Sequence, residues 1–255
     1  MFEKLVAKTE LHTVQRAMRR EIEQFPPTVG LGGVSGVGKS FTLNRMFKTT
    51  LATSDTIACT TAFTTHEIAM TLKQGDLKEH PALFRIVDAP GLGEDIHMDP
   101  HYLDMYKANL PRCDVILWVM AARNRAVALD QIYLKELLPV IKEKVVFGIN
   151  QVDLLEPMDW TDVNLPSKIQ RENIDIITHD RTNKLTSILG FQPVIIPYSA
   201  KKYYNLDALF ATIIEKCPPE RAWIFYGLKN FNTYDFIPVE LREHFLCTKD
   251  VQEAR

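Results

Sequence analysis

The chain has 255 residues, 46% apolar and 24% charged, which suits a globular protein able to bury a full core and allows one or two domains. A net charge of −2 excludes a domain-wide basic field for nucleic acid, although it leaves room for a local patch. Cys59, Cys113, Cys217 and Cys247 stand too far apart to read as a disulfide framework or zinc site, and no uncharged apolar stretch is long enough for a bilayer, so a cytoplasmic protein with reduced thiols is expected.

In chain order, Phe2, Leu5, Val6, Leu11, Val14, Met18 and Ile22 recur at near-helical spacing before Pro26 and Pro27. They predict an amphipathic helix within residues 1–25, with Arg16, Arg19 and Arg20 on its solvated face. The glycine-weakened strand "PTVGLGG" then leads into "GVSGVGKSFTLNRMF", residues 33–47. Here Gly33, four further residues, Gly38, Lys39 and Ser40 have phosphate-loop spacing. Glycines let such a loop turn its amides inward, and the positive end of the following helix adds to the anion site. Ser35, Gly36, Val37 and Phe41 complete the candidate cradle; Lys39 would meet the β- and γ-phosphates, and the Ser40 hydroxyl a magnesium ion. A Gly-rich turn before an ordinary helix is the plain alternative.

Beyond the loop, "HEIAMTLKQGDL" and "LFRIVDAPG" read as a hairpin through Gly75-Asp76, and "DVILWVM", "VVFGIN" and "PVIIPYSA" as further strands. Helical segments such as "LDQIYLKELLPVIKEK" and "SKIQRENIDIITHDRTNKLTSIL" separate them. This is the alternation of a doubly wound α/β sheet, whose ligands sit at the carboxyl ends of its strands. Three of those ends carry chemistry: "VDAPG" with Asp88 and Gly91, "INQVD" with Asn150, Gln151 and Asp153, and "YSAKK" with Ser199, Ala200 and Lys201. Each motif is weak separately, but their order in a phosphate-loop chain makes coincidence improbable.

With these motifs the chain resembles a GTPase of the Era-like, TrmE-Era-EngA-YihA-septin group, and within it the small bacterial GTPases of the YfjP/YeeP type. "GVSGVGKSFTLNRMF" is similar to their Gly-x-Ser-Gly-x-Gly-Lys-Ser-Ser-Leu-Ile-Asn-Ala-Leu-Phe run, and "INQVDLLEP" to their Asn-Gln-x-Asp element. "DVILWVMAARNRAVALDQIYL" resembles their strand with Asp-Arg-Ala-Leu and a following Asp. The resemblance implies a P-loop G domain over 26–217 with a mostly parallel six-stranded sheet and helices on both faces, followed by a short helical extension over 218–255. It implies GTP and GDP as ligands, Mg2+ as cofactor, and slow hydrolysis of GTP to GDP and phosphate.

Carried over by residue, it implies that Asp153 takes the guanine N1–H and N2 amino groups, that Asn150 braces the loop, and that Ser199, Ala200 and Lys201 close over the base. A carboxylate suits an edge with two donors, a pair that adenine lacks. Asp88 would hold magnesium through water, and the Gly91 amide would sense the γ-phosphate. Lys39, Thr60 and Gly91 are the implied catalytic set, and Ser40, Asp88 and either Thr60 or Thr61 the implied magnesium ligands. Three positions depart from wider GTPase patterns. Gln151 replaces a lysine whose stem packs along the base, so weaker affinity is expected; Gly36 stands where potassium-activated relatives carry asparagine. Leu92 follows Gly91 where a water-positioning glutamine is usual, leaving Glu94, Asp95 or a group supplied in trans to assist hydrolysis. Arg125, at the family's Arg position after the strand, is expected to pair with Asp130, with contact to nucleotide or partner as the alternative, and His97 and His101 are expected to be exposed.

The segments "PPERAWIFYGLKN" and "DFIPVELREHFL" show no Gly-x-x-Gly clamp of the RNA-binding KH type. They leave the output surface undetermined; the expected partner is a protein effector or a second copy, met through the switch regions. Two rival readings remain: a GTP-binding interaction module with negligible turnover, and a P-loop kinase acting on a small molecule.

Overall fold

The computed structural model describes residue 20, residues 24–47, 62–74, 77–95, 97–124, 127–160 and 165–218, and residue 221. Most of the expected 1–25 helix and of the 218–255 extension lies outside these residues, as do Thr60, Thr61, Gly75, Asp76 and Arg125. Of those segments' described residues, Arg221 donates to the Phe25 carbonyl at 2.7 Å and pairs with Asp114 at 2.7 Å.

Apolar runs without polar alternation form strands buried on both faces. β1 (Thr28–Gly32) and β5 (Val145–Asn150) are buried throughout, and β4 (Val115–Ala121) at all but its last residue. β2 (Thr64–Gln74) and β3 (Leu77–Asp88) form the expected antiparallel hairpin, and β6 (Ile195–Pro197) completes the sheet. The order is β2-β3-β1-β4-β5-β6, with every pairing except β2–β3 parallel.

Among the described residues, five longer helices pack on the sheet: α1 (Lys39–Phe47), α2 (Asp99–Asn109), α3 (Ala128–Ile141), α4 (Lys168–Leu189) and α5 (Leu206–Glu215). The chain crosses from β1 to β3 in one direction and from β4 through β6 in the other. Right-handed crossovers therefore put α1 on one face and α3 and α4 on the opposite one. Contacts agree: α2, α3 and α4 pack side by side, whereas Phe47 of α1 meets Phe210 of α5 with ring centroids 5.9 Å apart. The direction of the connections reverses beside β1, the point at which folds of this kind place ligands at the strands' carboxyl ends. The core beneath includes Phe84, Ile116, Trp118, Phe147 and Tyr198, all fully buried. No helix among the described residues is long and apolar enough to cross a membrane.

Candidate functional site

The connection from β1 to α1 curls around the start of the helix. Gly33, Val34 and Val37 are buried, Ser35, Gly38 and Ser40 half-buried, and Gly36 exposed. Lys39 is only 8% exposed, and its ammonium donates to the carbonyls of Gly33 and Val34, both at 3.1 Å. Burial lowers its pKa to about 8, against the opposing pull of Asp88, Asp130 and Glu94. No acidic side chain stands in the first turn of α1, so its amide dipole is free to favour an anion. Gly38 is fixed by two constraints: its φ is +86°, and a Cβ there would lie 2.6 Å from the Asn150 amide nitrogen.

Asp88 ends β3 beside this helix, and the Ser40 hydroxyl donates to its Oδ2 at 2.9 Å. Magnesium fits the pair. Both are hard oxygen donors, and among the described residues no cluster of three or more His, Cys, Asp or Glu forms a cage. A cation that keeps waters and shares phosphate oxygens needs few protein ligands.

The segment after Asp88 lies against the phosphate loop. Leu92 forms a parallel bridge with Val34: its N–H meets Gly33 O at 3.4 Å, and its carbonyl accepts Ser35 N–H at 2.8 Å. Its side chain is fully buried. A Cβ on Gly91 would come within 2.8 Å of the Ser35 Cα, so this approach requires glycine. The Tyr106 hydroxyl donates to Pro90 O, the Gly93 N–H to Asp99 Oδ1 at 2.9 Å, and the Tyr133 hydroxyl to Asp99 Oδ2. The two carboxylates after Leu92 separate clearly. Glu94 Oε2 accepts the Ser35 hydroxyl at 2.9 Å, whereas Asp95 Oδ1 accepts the N–H of His97 in a turn leading into α2. His97 and His101 are exposed, as expected.

At the ends of β5 and β6, Asn150 is 2% exposed and spans two loops. Its Nδ2 donates to Val37 O at 3.0 Å, and its Oδ1 accepts the Ala200 N–H at 3.1 Å. Asp153 is nearly buried, with Oδ1 accepting the Ser199 hydroxyl at 2.6 Å. Ser199 Oγ in turn accepts the N–H of Lys202, Ala200 is buried, and Lys201 is exposed. Gln151 adopts a left-handed φ of 64° and donates from Nε2 to Gly36 O at 3.2 Å. The side chain substituted for lysine thus keeps a tie to the phosphate loop.

Motif reading missed the supports of this site. Asp99, Tyr106 and Tyr133 hold the Pro90–Gly93 segment, and Arg45 and Tyr203 meet beside Phe41. Only the Phe41–Arg45 spacing of four on one helix was visible in sequence. Asp130 accepts the Trp118 indole N–H at 2.8 Å. Burial pushes its pKa up to about 6, opposed by that bond and by Arg181 and Lys39.

A family model described as "50S ribosome-binding GTPase" matches residues 28–151, the span from β1 to Gln151. Among curated proteins, YfjP of Escherichia coli K12 is 31% identical over 209 residues, covering 79% of this chain and 66% of the relative. A crystal structure of an Aquifex aeolicus Era variant bound to GDP·AlF4− is 26% identical with a TM-score of 0.54, covering 75% of this chain and 56% of that one. The chain belongs to the Era-like P-loop GTPases. YkfA of the same E. coli strain is 29% identical with the same coverage as YfjP, so the chain spans 66% of the length of both curated relatives. Both carry the description "uncharacterized protein". A second Era structure, in complex with MgGDPNP and nucleotides 1506–1542 of 16S ribosomal RNA, matches with a TM-score of 0.53 over 75% of this chain and 57% of that one; at 24% identity it speaks for the fold alone.

Proposed function

We propose that this GTPase is a switch that binds GTP and GDP with magnesium and hydrolyses GTP slowly to GDP and phosphate. The observation that carries the reading is the joining of three loops through two side chains. Asn150 ties the phosphate loop to the Ser199–Lys201 loop, and Ser199 fixes the carboxylate of Asp153. With one lone pair of Oδ1 taken by Ser199, Asp153 retains acceptor positions for both guanine donors. Ala200 and Lys201 line the base, and Gln151 closes the site against Gly36.

The amides of the 33–41 loop, with Lys39, cradle the phosphates. Bound magnesium would neutralise charge on the β- and γ-phosphates, held by Ser40 and Asp88 with Thr60 or Thr61 as a further ligand. In the hydrolytic step the oxygen of water bonds to the γ-phosphorus as the bridging P–O bond breaks. The bond's electron pair stays on GDP, and the proton lost by water passes to the released phosphate. Lys39 and the Gly91 N–H stabilise the developing charge. Leu92 is turned into the core, so Glu94, beside Ser35, is the residue assigned to orient the water. Phosphate release then frees the Pro90–Gly93 segment, changing the surface offered to a protein effector or a second copy.

The burial of Leu92 also favours a second reading, an interaction module with negligible turnover. Single-turnover hydrolysis of preloaded GTP, with magnesium or with chelator, separates the two. The expected rate is about 10⁻⁴ to 10⁻² per second with magnesium, as for unassisted switches. Undetectable phosphate release while GTP stays bound would favour the module, and transfer of phosphate to a small molecule the kinase.

A further inference from the structure

Arg45 stands on α1 one turn beyond Phe41, and its guanidinium lies between two aromatic rings. Its central carbon is 4.9 Å from the Phe41 ring centroid and 5.0 Å from that of Tyr203, and Nη1 donates to the Tyr203 hydroxyl. A planar cation between two rings, with a directed hydrogen bond to one, holds them in a way that a lysine ammonium does not reproduce. Tyr203 lies in the β6–α5 connection, 8% exposed, with a φ of +56°. That left-handed backbone is strained for a bulky residue and persists only when its surroundings fix it.

From Tyr203 a short bonded path runs to the carboxylate at the base site. The adjacent Tyr204 pairs with Ser199 in both directions, Ser199 N–H to Tyr204 O at 3.1 Å and Tyr204 N–H to Ser199 O at 3.0 Å. Ser199 then donates from its hydroxyl to Asp153. We propose that Arg45 is a positioning residue for guanine recognition: by clamping Tyr203 against Phe41, it holds the Ser199–Tyr204 loop, and through it Asp153, in register with the phosphate loop. The proposal rests on the GTP-binding reading. It assigns guanine selectivity to a residue outside every nucleotide motif. It also makes α1 the common support of the phosphate end and the base end of the site.

The test compares wild type, Arg45→Met, Arg45→Lys and Tyr203→Phe by competition of GTP, ITP, ATP and inorganic tripolyphosphate against a fluorescent GDP analogue, together with the analogue's dissociation rate. Inosine lacks the 2-amino group, so the GTP-to-ITP ratio reports whether Asp153 still meets both donors. Arg45→Met is expected to lower that ratio and speed dissociation, each by about tenfold, while leaving tripolyphosphate affinity unchanged. Arg45→Lys and Tyr203→Phe, gentler changes that cover the case of an unstable Met variant, are expected to show the same pattern at about threefold. An unchanged GTP-to-ITP ratio in all three variants overturns the proposal. So does loss of tripolyphosphate affinity in step with GTP, the sign of general damage to α1. Failure of wild type to prefer GTP over ATP would instead overturn the underlying GTP reading.

Discussion

Glu94 and Asp95 are adjacent carboxylates whose hydrogen bonds point them to different work. Glu94 is exposed and bonded to Ser35 at the rim of the phosphate loop, whereas Asp95 is committed to the turn before α2. Glu94→Gln is therefore expected to slow single-turnover hydrolysis by about 10² with GTP affinity unchanged, the scale of a lost general base or water-orienting group. Asp95→Asn is expected to leave the rate within about twofold; equal losses in both would refute the assignment. Lys39 supports a second expectation. Burial lowers its pKa to about 8, and the charges of bound phosphates would raise it. Binding must then take up a proton wherever free Lys39 is neutral. Calorimetry in buffers of differing ionisation enthalpy should find greater proton uptake at pH 9 than at pH 7, with affinity falling as pH rises above about 8. Equal uptake at both pH values would refute this. Lys39, Ser40, Asp88, Asn150 and Asp153 could be nominated from sequence because local spacing defines their motifs, and the fold brings their loops together. The clamp of Arg45 on Tyr203 could not, because 158 residues separate the partners. The contact of Gln151 with Gly36 was hidden in the same way, since it depends on how two loops meet.

At the scale of elements, α4 shows how local chemistry sets boundaries. Ser167 caps its first turn, accepting the Gln170 N–H at 3.1 Å, and Gly190 ends it with a φ of 73°. Its buried stripe contains two polar residues, each with partners. Gln170 donates to Leu155 O at 2.9 Å, and Arg181 donates to Asn124 O and to Asp180. Loss of the cap by Ser167→Ala is expected to cost about 1 kcal/mol in urea unfolding. It should leave the GTP-to-ATP affinity ratio unchanged, and a changed ratio would mean that α4 positions the base site directly. The helix was readable from its apolar period, and β4 and β5 from their uninterrupted apolar runs. The pairing of Leu92 with Val34 was not, because a single bridge between loops leaves no periodic trace.

For the whole molecule, the strand order decides where the loops converge. Strands β3 and β4 flank β1 and are reached by crossovers of opposite direction, so Asp88, the phosphate loop and the ends of β5 and β6 meet along one edge. The α/β class and the motif order were legible in the sequence. The bonds joining the loops needed the folded chain, because each links segments distant along it. The proposed function requires that these joined loops read guanine through Asp153. Its most direct measurement is competition of GTP, XTP and ATP against a fluorescent nucleotide on wild type and Asp153→Asn. Xanthine presents an oxygen acceptor at C2 where guanine presents an amino group, so replacing one carboxylate oxygen with NH₂ should mismatch guanine and match xanthine. Wild type is expected to prefer GTP over both competitors, and the variant to shift the GTP-to-XTP ratio by about 10² or more. Unchanged GTP preference in Asp153→Asn, or wild type binding ATP as tightly as GTP, would contradict it.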